Sequence, residues 1–347
     1  MPPSRRQASL SQLGEFQLIQ SISRGFSRGG IRPTVGIGDD AAVLELPSPT
    51  QIVISTDLMI EHIHFNRTTS TFYDIGYKAA AVNLSDIAAM GATPTSILVA
   101  IALPPHLNHQ DWKELYRGLA VPCKAQKVQL IGGDTSSSPS VLFIAITILG
   151  RIKPGQSLTR SGAKAGDIIY VSGTLGDSAA GLEYLNHQKH PVKVSTLPQP
   201  IRFLVRRHLQ PTPRIGLGQM LSTHGFASAA LDLSDGLSGD LTHLCRQSRV
   251  GALIHHSHIP LSTHMVTYAA QKNMPPLTWA LHGGEDYELL FTVPPTSRRR
   301  LEQAVKTLRL PITAIGVVQP RRVGIRIEDS DGSIHPLLPR SYEHFST

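Results

Sequence analysis

The stretch Gly150-Arg151-Ile152-Lys153-Pro154-Gly155 divides this sequence of 347 residues into two halves. Glycine, proline and charged residues continue from there to Gly166-Asp167, a composition that is typical of a boundary between domains. On each side, apolar runs of strand length alternate with segments of helical spacing. A chain of this length can bury two cores, since domains usually contain about 100–200 residues. The sequence therefore predicts two domains that both combine strands with helices.

Composition limits the classes of protein to which the chain can belong. Hydrophobic residues make up 41%, yet the longest apolar run, residues 141–149, is strand-sized and well below the ~20 residues that cross a bilayer. The first residues carry charge with no apolar stretch behind them, so no signal peptide is expected. Cys123 and Cys245 alone cannot form a disulfide framework or a cysteine-based zinc site. We expect a cytoplasmic protein without a membrane partner.

The charges indicate a protein that attracts anions overall and holds cations locally. The 33 basic residues exceed the 25 acidic ones, giving a formal +8, but the basic clusters are short and lack interleaved aromatic residues. They indicate solvated basic faces and no nucleic-acid partner. Twelve acidic residues lie in or beside turns that contain glycine or serine: Asp39, Asp40, Asp57, Asp86, Asp134, Asp177, Asp232, Asp235, Asp240, Glu285, Asp286 and Glu288.

Several acidic turns follow predicted strands. Residues 51–54 predict a strand that ends in Ser55-Thr56-Asp57, and residues 127–131 predict another that ends in Gly132-Gly133-Asp134. In the second half, residues 229–236 leave a strand and open a helix predicted over residues 237–247.

Two further acidic segments have a different setting. Gly283-Gly284-Glu285-Asp286 precedes a strand predicted over residues 287–293. Asp86 lies in an alanine-rich segment, residues 72–90, whose helical spacing stops at Gly91. Its carboxylate is expected to project from a helix.

These acids favour phosphoryl transfer with magnesium ions. A single aspartate between a strand and a helix is often an N-cap, and Ser234-Asp235 could be one with no further role. Six such acids, most with small neighbours, are hard to explain as independent caps. Small neighbours let a phosphate and its metal approach the backbone. Mg²⁺ is held by one or two carboxylates together with waters and substrate phosphates, so scattered aspartates can serve several ions around a polyphosphate.

Familiar signatures of other sites are missing from the sequence. Residues 150–157 differ from a P-loop because Gln156 stands where the phosphate-binding lysine belongs, and no protein-kinase set of motifs occurs. Residues 176–181 contain one residue too many for a nucleophile elbow, which favours a helix start at Ser178. The spacing of His255, His256 and His258 matches no strong metal site and favours a surface strand.

Eight motifs occur in a fixed order along nearly the whole chain. They are Gly14-Glu15-Phe16, Gly36-Ile37-Gly38-Asp39-Asp40, Ser55-Thr56-Asp57, Asn83-Leu84-Ser85-Asp86-Ile87-Ala88-Ala89-Met90-Gly91, Ile131-Gly132-Gly133-Asp134-Thr135, Leu158-Thr159-Arg160-Ser161-Gly162-Ala163, Asp232-Leu233-Ser234-Asp235-Gly236 and Gly283-Gly284-Glu285-Asp286-Tyr287-Glu288-Leu289. As a set they resemble the bacterial thiamine-monophosphate kinases. Individual motifs recur in the related aminoimidazole ribonucleotide synthetase superfamily.

The resemblance implies a kinase that uses ATP and Mg²⁺ to phosphorylate thiamine monophosphate to thiamine diphosphate, the last step of thiamine diphosphate biosynthesis. Carried over by position, it implies that Mg²⁺ ions are held by Asp40, Ser55, Thr56, Asp57, Asp86, Asp134, Asp232 and Asp235. It implies that ATP is contacted by Gly133, Asp134, Arg160, Ser234 and Tyr116. The thiamine part would face His64, Glu285 and Tyr342, and the catalytic residues would be Asp57, Asp134 and Arg160.

The resemblance also implies an α+β fold with two domains. Residues 14–150 would form an N-terminal α/β domain that binds ATP and Mg²⁺ and whose mixed sheet pairs with its twin in a homodimer. Residues 151–347 would form a C-terminal α/β domain that closes the active-site cleft. The sequence departs from the family pattern at residues 298–300, at residues 255–258 and in an extension before Gly14, and none of these carries a predicted site residue.

The implied chemistry needs no general base. The acceptor is a phosphate oxygen that is already ionised near neutral pH, since the second phosphate pKa is about 6. The obstacle is repulsion between two polyanions, which Mg²⁺ and Arg160 would offset while the reacting oxygens are aligned in line. In this interpretation Asp40 is a metal ligand and Asp39 is its turn-forming neighbour.

Two other classes remain open from the sequence alone. A sister enzyme, such as selenophosphate synthetase or an ATP-dependent ring-closing synthetase, would use the same magnesium turns. The first of these usually requires a reactive cysteine or selenocysteine near the N-terminus, and Cys123 lies too far along the chain. A non-enzymatic protein that binds anions or nucleic acid would need the basic excess but no ordered acids, and Mg²⁺-dependent ATP binding separates it from the enzymes.

Overall fold

The computed structural model describes residues 33–35, 39–44 and 49–340. The first half of this described part consists, in order, of β1 (Pro33–Val35), β2 (Ala42–Leu44), β3 (Gln51–Ile60), α1 (Phe72–Ala89), β4 (Thr93–Leu103), α2 (His109–Ala125), β5 (Gln129–Ser137) and β6 (Phe143–Ile152). The second half consists of β7 (Ile168–Ser172), α3 (Asp177–Asn186), α4 (Gln199–Leu209), α5 (Ile215–Thr223), β8 (Ala229–Asp232), α6 (Leu237–Ser248), β9 (Gly251–His255), α7 (Thr263–Lys272), α8 (Pro276–His282), β10 (Leu289–Val293), α9 (Arg298–Ala304), β11 (Ile312–Gln319), β12 (Ile325–Glu328) and β13 (Ile334–Pro336).

The strands form one mixed sheet in each half. The first sheet has the order β1-β2-β3-β6-β4-β5, in which β4 and β5 run parallel and the other neighbours run antiparallel. The second has the order β13-β12-β9-β11-β7-β10-β8, with β12 and β9 as its parallel pair. Two mixed sheets with helices confirm the predicted α+β fold class. The domain bounds at 14–150 and 151–347 stay a prediction.

Two strands are longer than their sequences predicted. Strand β3 pairs with β6 over its whole length, from Gln51 opposite Ile152 to Ile60 opposite Phe143, so Asp57 lies inside a strand and not after its end. Strand β5 likewise continues past Asp134, which lies opposite Ala100 on β4. The predicted strand ends were wrong because backbone hydrogen bonds to neighbouring strands satisfy polar and glycine-rich segments that look like turns in isolation.

Helix α1 agrees with its prediction almost to the residue. The Thr71 side chain caps it by accepting the Asp74 N–H at 3.2 Å, and the chain leaves it at Gly91 with a φ of +70°. Most of its residues are buried, as expected for a helix that is apolar on most sides. No helix within the described ranges is both long and apolar enough to span a membrane.

The two halves meet along α1. Ile87 of this helix belongs to the same buried cluster as Ile215 and Leu217 of α5. At Gly218 of α5 the helices come so close that a Cβ atom would lie 1.9 Å from the Ala88 carbonyl oxygen. This contact fixes the last turn of α1, which carries Asp86, against the second half of the chain.

Candidate functional site

A cavity of about 380 Å³ opens where the two halves meet, and acidic side chains dominate its lining. Among the residues that the structure describes, eight carboxyl groups line it together with two permanent cations, Lys78 and Arg160. The carboxyl groups belong to Asp39, Asp40, Asp57, Asp86, Asp232, Asp235, Asp240 and Glu285. Carboxylates gathered in one space repel each other, and the repulsion is offset either by protons or by bound cations.

Three of these carboxylates form a candidate metal centre. Asp40, Asp86 and Asp232 each place an oxygen within 4.8 Å of the other two. They come from the segment before β2, from α1 and from the end of β8, so the fold brings together residues that are far apart in the sequence. Burial, followed by repulsion from neighbouring aspartates, raises the pKa of both Asp86 and Asp232 well above its ordinary value. A cluster of hard carboxylate oxygens that repel each other fits Mg²⁺.

Two serines orient the cluster. The Ser55 hydroxyl donates to Asp86 Oδ2 and lies 3.0 Å from the Asp40 carbonyl oxygen. The Ser85 hydroxyl donates to Asp232 Oδ2 at 2.5 Å. Hydrogen bonds of this kind hold the carboxyl groups in a fixed orientation.

Strand β3 directs its side chains alternately toward and away from the cavity. Asp57 faces the carboxylate cluster, and burial, followed by repulsion from Asp40, raises its pKa to about 6. The neighbouring Thr56 side chain points the other way, because its hydroxyl donates to the Ile146 carbonyl oxygen at 3.1 Å and lies 3.1 Å from the Thr147 hydroxyl. Thr56 borders the cavity, but its hydroxyl is engaged by the neighbouring strand β6.

Arg160 is bound to both residues of the Asp39-Asp40 pair. Its Nη2 and Nε donate to the two carboxylate oxygens of Asp40, at 2.6 and 3.3 Å. Its backbone N–H donates to Asp39 Oδ1 at 2.6 Å. The two adjacent aspartates thus have different partners: Asp39 anchors the backbone of the Arg160 segment, while Asp40 pairs with the guanidinium group inside the cavity.

Helix α6 contributes two residues that the sequence did not identify as part of the site. Asp240 Oδ2 accepts the Asp235 N–H at 3.1 Å and so fixes the turn that carries Asp235. His243 also lines the cavity, and burial, followed by the positive charge of Arg160, lowers its pKa to about 4, which keeps it neutral. Their i, i+3 spacing on a helix that begins beside Asp235 was the available signal.

The other end of the cavity is formed by a strained loop. Glu285 and Tyr287 both have positive φ, +66° and +51°, which is costly for residues with a side chain and typical of functional sites. Hydrogen bonds hold this conformation: the Glu285 N–H donates to the Ser234 carbonyl at 2.7 Å and the Tyr287 N–H donates to the Leu233 carbonyl at 2.9 Å.

His64 and Lys78 lie at this same end. His64 Nδ1 accepts the Ile60 N–H at 3.0 Å, so the neutral ring carries its proton on Nε2. Lys78 Nζ lies 2.6 Å from Glu285 Oε1. The sequence missed Lys78, because a lysine within an alanine-rich helix has the pattern of a solvated residue.

The cavity brings together most of the predicted site residues but not all. It gathers Asp40, Ser55, Thr56, Asp57, His64, Asp86, Arg160, Asp232, Ser234, Asp235 and Glu285. Gly133 and Asp134 lie outside it on β5, which is exposed along its whole length. Tyr116 also lies outside it, on α2, with its ring centroid 4.4 Å from that of Trp112. Tyr342 falls outside the described residues.

Family models match both halves of the chain. The model of the N-terminal domain of AIR synthase related proteins matches residues 38–152, and the model of their C-terminal domain matches residues 164–328.

Full-length relatives are similar as well. The thiamine-monophosphate kinase of Salmonella typhimurium is 41% identical over 335 residues, which cover 96% of this chain and 99% of the relative. That of Bacillus subtilis is 38% identical over 335 residues, which cover 96% of this chain and 100% of the relative. A solved structure described as AaThiL complexed with AMPPCP and TMP is similar with a TM-score of 0.84 and 33% identity, covering 98% of this chain and 99% of that one.

Proposed function

Because this chain belongs to the family of thiamine-monophosphate kinases, we propose that it transfers the γ-phosphoryl group of ATP to thiamine monophosphate, giving thiamine diphosphate and ADP. The main observation in support of the proposal is the cluster of Asp40, Asp86 and Asp232. These three carboxyl groups come from distant segments and place oxygens within 4.8 Å of one another in a cavity between the two halves. The related structure with AMPPCP and TMP supports the choice of both substrates.

Mg²⁺ is the cation that these residues would hold. Ligands would come from Asp40, Ser55, Thr56, Asp57, Asp86, Asp134, Asp232 and Asp235, with Thr56 using its backbone carbonyl. When bound, Mg²⁺ supplies positive charge that offsets the repulsion between the two phosphate groups. The hydrogen bonds from Ser55 to Asp86 and from Ser85 to Asp232 hold the ligand oxygens in position before the metal binds. Little reorganisation of these side chains is therefore required on binding.

The chain's own residues position the reactants and need not remove a proton. The attacking phosphate oxygen is already ionised near neutral pH. His64 cannot readily act as the base, because Nδ1 already accepts the Ile60 N–H and Nε2 carries the ring proton. Its Nε2–H would instead donate to the substrate. Arg160 would exchange Asp40 for the transferring phosphoryl group, since a guanidinium fork binds carboxylate and phosphate oxygens alike. Ser234 would contact ATP beside it.

The remaining predicted residues call for a second copy of the chain. Strand β5 is separated from β3 by β6 and β4, so Gly133 and Asp134 lie about 14 Å from Asp57 across three strand spacings. Strand β5 is an edge strand whose Leu130 and Ile131 are 49% and 56% exposed, and proteins normally cover such edges. We propose a cytoplasmic homodimer in which the first sheets pair and in which Gly133, Asp134 and Tyr116 complete the ATP site of the partner.

Initial-rate assays test the reaction. The purified protein is supplied with ATP and Mg²⁺ and with either thiamine monophosphate or thiamine as acceptor, and the products are separated and converted to fluorescent thiochromes. We expect thiamine diphosphate from the monophosphate and no thiamine monophosphate from thiamine, because the proposed mechanism relies on an acceptor oxygen that is already ionised, and a hydroxyl acceptor is not. Phosphorylation of thiamine at a comparable rate would overturn the base-free mechanism, and failure to phosphorylate thiamine monophosphate would overturn the proposed function.

A further inference from the structure

Lys78 is the only lysine among the described residues that line the cavity, and its chemistry is not explained by the metal centre. It lies in the middle of α1 with its side chain 4% exposed, and its Nζ is 2.6 Å from Glu285 Oε1. Among the described residues, no acceptor meets this ammonium group in good hydrogen-bond geometry. An ammonium group has three N–H donors, and leaving them unsatisfied when buried is costly. Lys78 therefore has donors available for a ligand in the cavity.

Glu285 is held in place from two sides. Its backbone is fixed by the bond to the Ser234 carbonyl, and its Oε2 lies 3.3 Å from His208 Nδ1. Burial lowers the pKa of His208 to about 3, so this ring is neutral. Burial opposes ionisation of Glu285, but its surroundings, with Lys78 first among them, lower the Glu285 pKa overall. Lys78 and Glu285 form a pair without net charge, so the pair is not a simple attractor for the thiazolium cation.

The pair and the metal centre lie at opposite ends of one helix face. Lys78, Val82 and Asp86 follow each other at intervals of four residues on α1, and all three line the cavity. Eight residues of helix correspond to about 12 Å along the axis. The groups of thiamine monophosphate are arranged in a matching order. Its phosphate is attached on the thiazolium side, and its aminopyrimidine ring forms the opposite end of the molecule. A phosphate at Asp86 therefore directs the aminopyrimidine toward Lys78 and Glu285.

We propose that Lys78 and Glu285 together recognise the 4-aminopyrimidine ring of the substrate, an inference that rests on the proposed function. The edge of this ring presents an amino donor beside a ring-nitrogen acceptor. The pair presents the complement, because Glu285 accepts from the exocyclic amine and Lys78 donates to the adjacent ring nitrogen. The 4-oxo analogue reverses the pattern: its carbonyl oxygen faces the Glu285 carboxylate and its ring N–H faces the Lys78 ammonium.

The wild-type protein provides the first test. We compare kcat/KM for thiamine monophosphate and for oxythiamine monophosphate at saturating ATP and Mg²⁺. A site that is built to hydrogen-bond a substrate group rejects the mismatched analogue strongly, so we expect a preference of at least about 10²-fold. Equal kcat/KM values would overturn the recognition by Lys78 and Glu285. Turnover of thiamine monophosphate in the same assay would leave the proposed function standing, so the two failures are distinguishable.

Variants provide the second test. Lys78→Met should raise KM for thiamine monophosphate about 10- to 100-fold, leave KM for ATP unchanged and lower the preference over the oxo analogue at least about 10-fold. Because this change leaves the half-buried Glu285 without its cation, the double variant Lys78→Met with Glu285→Gln restores neutrality and should lose the preference while remaining folded.

The matched control is Lys272→Met. Lys272 lies on α7 with its Nζ 3.4 Å from Glu183 Oε1, so the change removes a lysine from a Lys–Glu pair outside the cavity lining. It should leave both KM values and the preference unchanged. An equal rise of KM for ATP and thiamine monophosphate in Lys78→Met, or an unchanged preference in a folded double variant, would overturn the inference.

Discussion

Asp57 shows how its surroundings prepare a single carboxyl group for a cation. Burial and the neighbouring Asp40 raise its pKa to about 6, so in the absence of a cation it holds a proton more tightly than an ordinary aspartate. A bound cation favours the ionised form, and metal binding at such a site is therefore coupled to release of a proton.

Replacing Asp57 by asparagine should lower kcat at least about 10²-fold, the scale of losing one strong electrostatic contact in the transition state. The fold should persist, since the amide has the shape of the carboxyl group and removes a source of repulsion. Circular dichroism and thermal unfolding check the fold, and initial rates check kcat. Asp331→Asn, a change at an exposed carboxylate before β13, is the control and should keep wild-type kcat. Wild-type turnover in Asp57→Asn would contradict its assignment to the metal centre.

His208 gives a prediction for the pH dependence of stability. In the folded protein its pKa is about 3, because burial and then the neighbouring Lys78 disfavour its charged form, whereas in the unfolded chain it titrates near 6.5. Below pH 6.5 the unfolded state therefore binds a proton that the folded state does not, and stability falls as the pH falls.

His208→Gln should remove this contribution. Between pH 6.5 and pH 5, the variant should lose less unfolding free energy than the wild type, by about 2 kcal/mol. Urea unfolding at both pH values measures this difference, and comparing the slopes cancels the other titrating groups. Parallel pH dependences in the two proteins would show that His208 is protonated in the folded state.

The sequence identified the residues whose chemistry is visible in short motifs and missed those that depend on packing. Asp40, Asp86 and Asp232 could be predicted to share a site because each lies in a glycine- or serine-containing motif. Lys78 could not, because its burial depends on how α1 packs against the strained loop at Glu285. A single sequence contains no signal for that contact.

At the scale of elements, α1 is the helix on which the site is built. It was predictable because its alanine content and helical spacing indicate both that the segment is a helix and that the helix is buried. The lengths of β3 and β5 were not, since they depend on pairing with β6 and β4. Polar residues such as Asp57 look like the end of a strand until the neighbouring strand is known.

Substitutions at two glycines of α5 test how closely α1 and α5 must approach each other. Gly218→Ala would place a Cβ atom 1.9 Å from the Ala88 carbonyl oxygen, so the helices must separate near Asp86. We expect a loss of unfolding free energy of about 1–3 kcal/mol together with lower kcat.

Gly216→Ala is the control within the same helix. Its Cβ would meet only Leu308 Cδ2, at 3.5 Å, and the position is exposed. Alanine there should be neutral or stabilising by up to about 1 kcal/mol. Chemical denaturation of both variants measures the difference, and equal stabilities would show that α1 and α5 tolerate separation.

At the scale of the whole molecule, the resemblance to thiamine-monophosphate kinases is confirmed over both halves. The motifs revealed it because they occur in order along the entire chain. The motifs did not reveal that Asp134 lies apart from the other acidic residues. Its position depends on the order of strands in the first sheet, where β5 is at the edge, and the sequence alone does not determine that order.

Mixing two inactive variants tests whether Asp134 acts in the partner's cavity. Asp57→Asn and Asp134→Asn should each be nearly inactive alone. After unfolding and refolding together, half of the dimers are mixed and one of the two cavities in each retains both aspartates, so about one quarter of wild-type activity should return. Size-exclusion chromatography with light scattering should give twice the 37.6 kDa of one chain. If the mixture stays inactive while dimers form, Asp134 does not act across the interface.

The most direct measurement follows the phosphorus atoms themselves. Phosphorus NMR of the purified protein with ATP and thiamine monophosphate records the acceptor, the donor and both products in one sample. With Mg²⁺ present, the signals of thiamine diphosphate and ADP should grow one for one while free phosphate stays at background, and chelation of Mg²⁺ should stop both. ADP that appears with free phosphate and without thiamine diphosphate, or transfer that continues after chelation, would contradict a magnesium-dependent kinase acting on thiamine monophosphate.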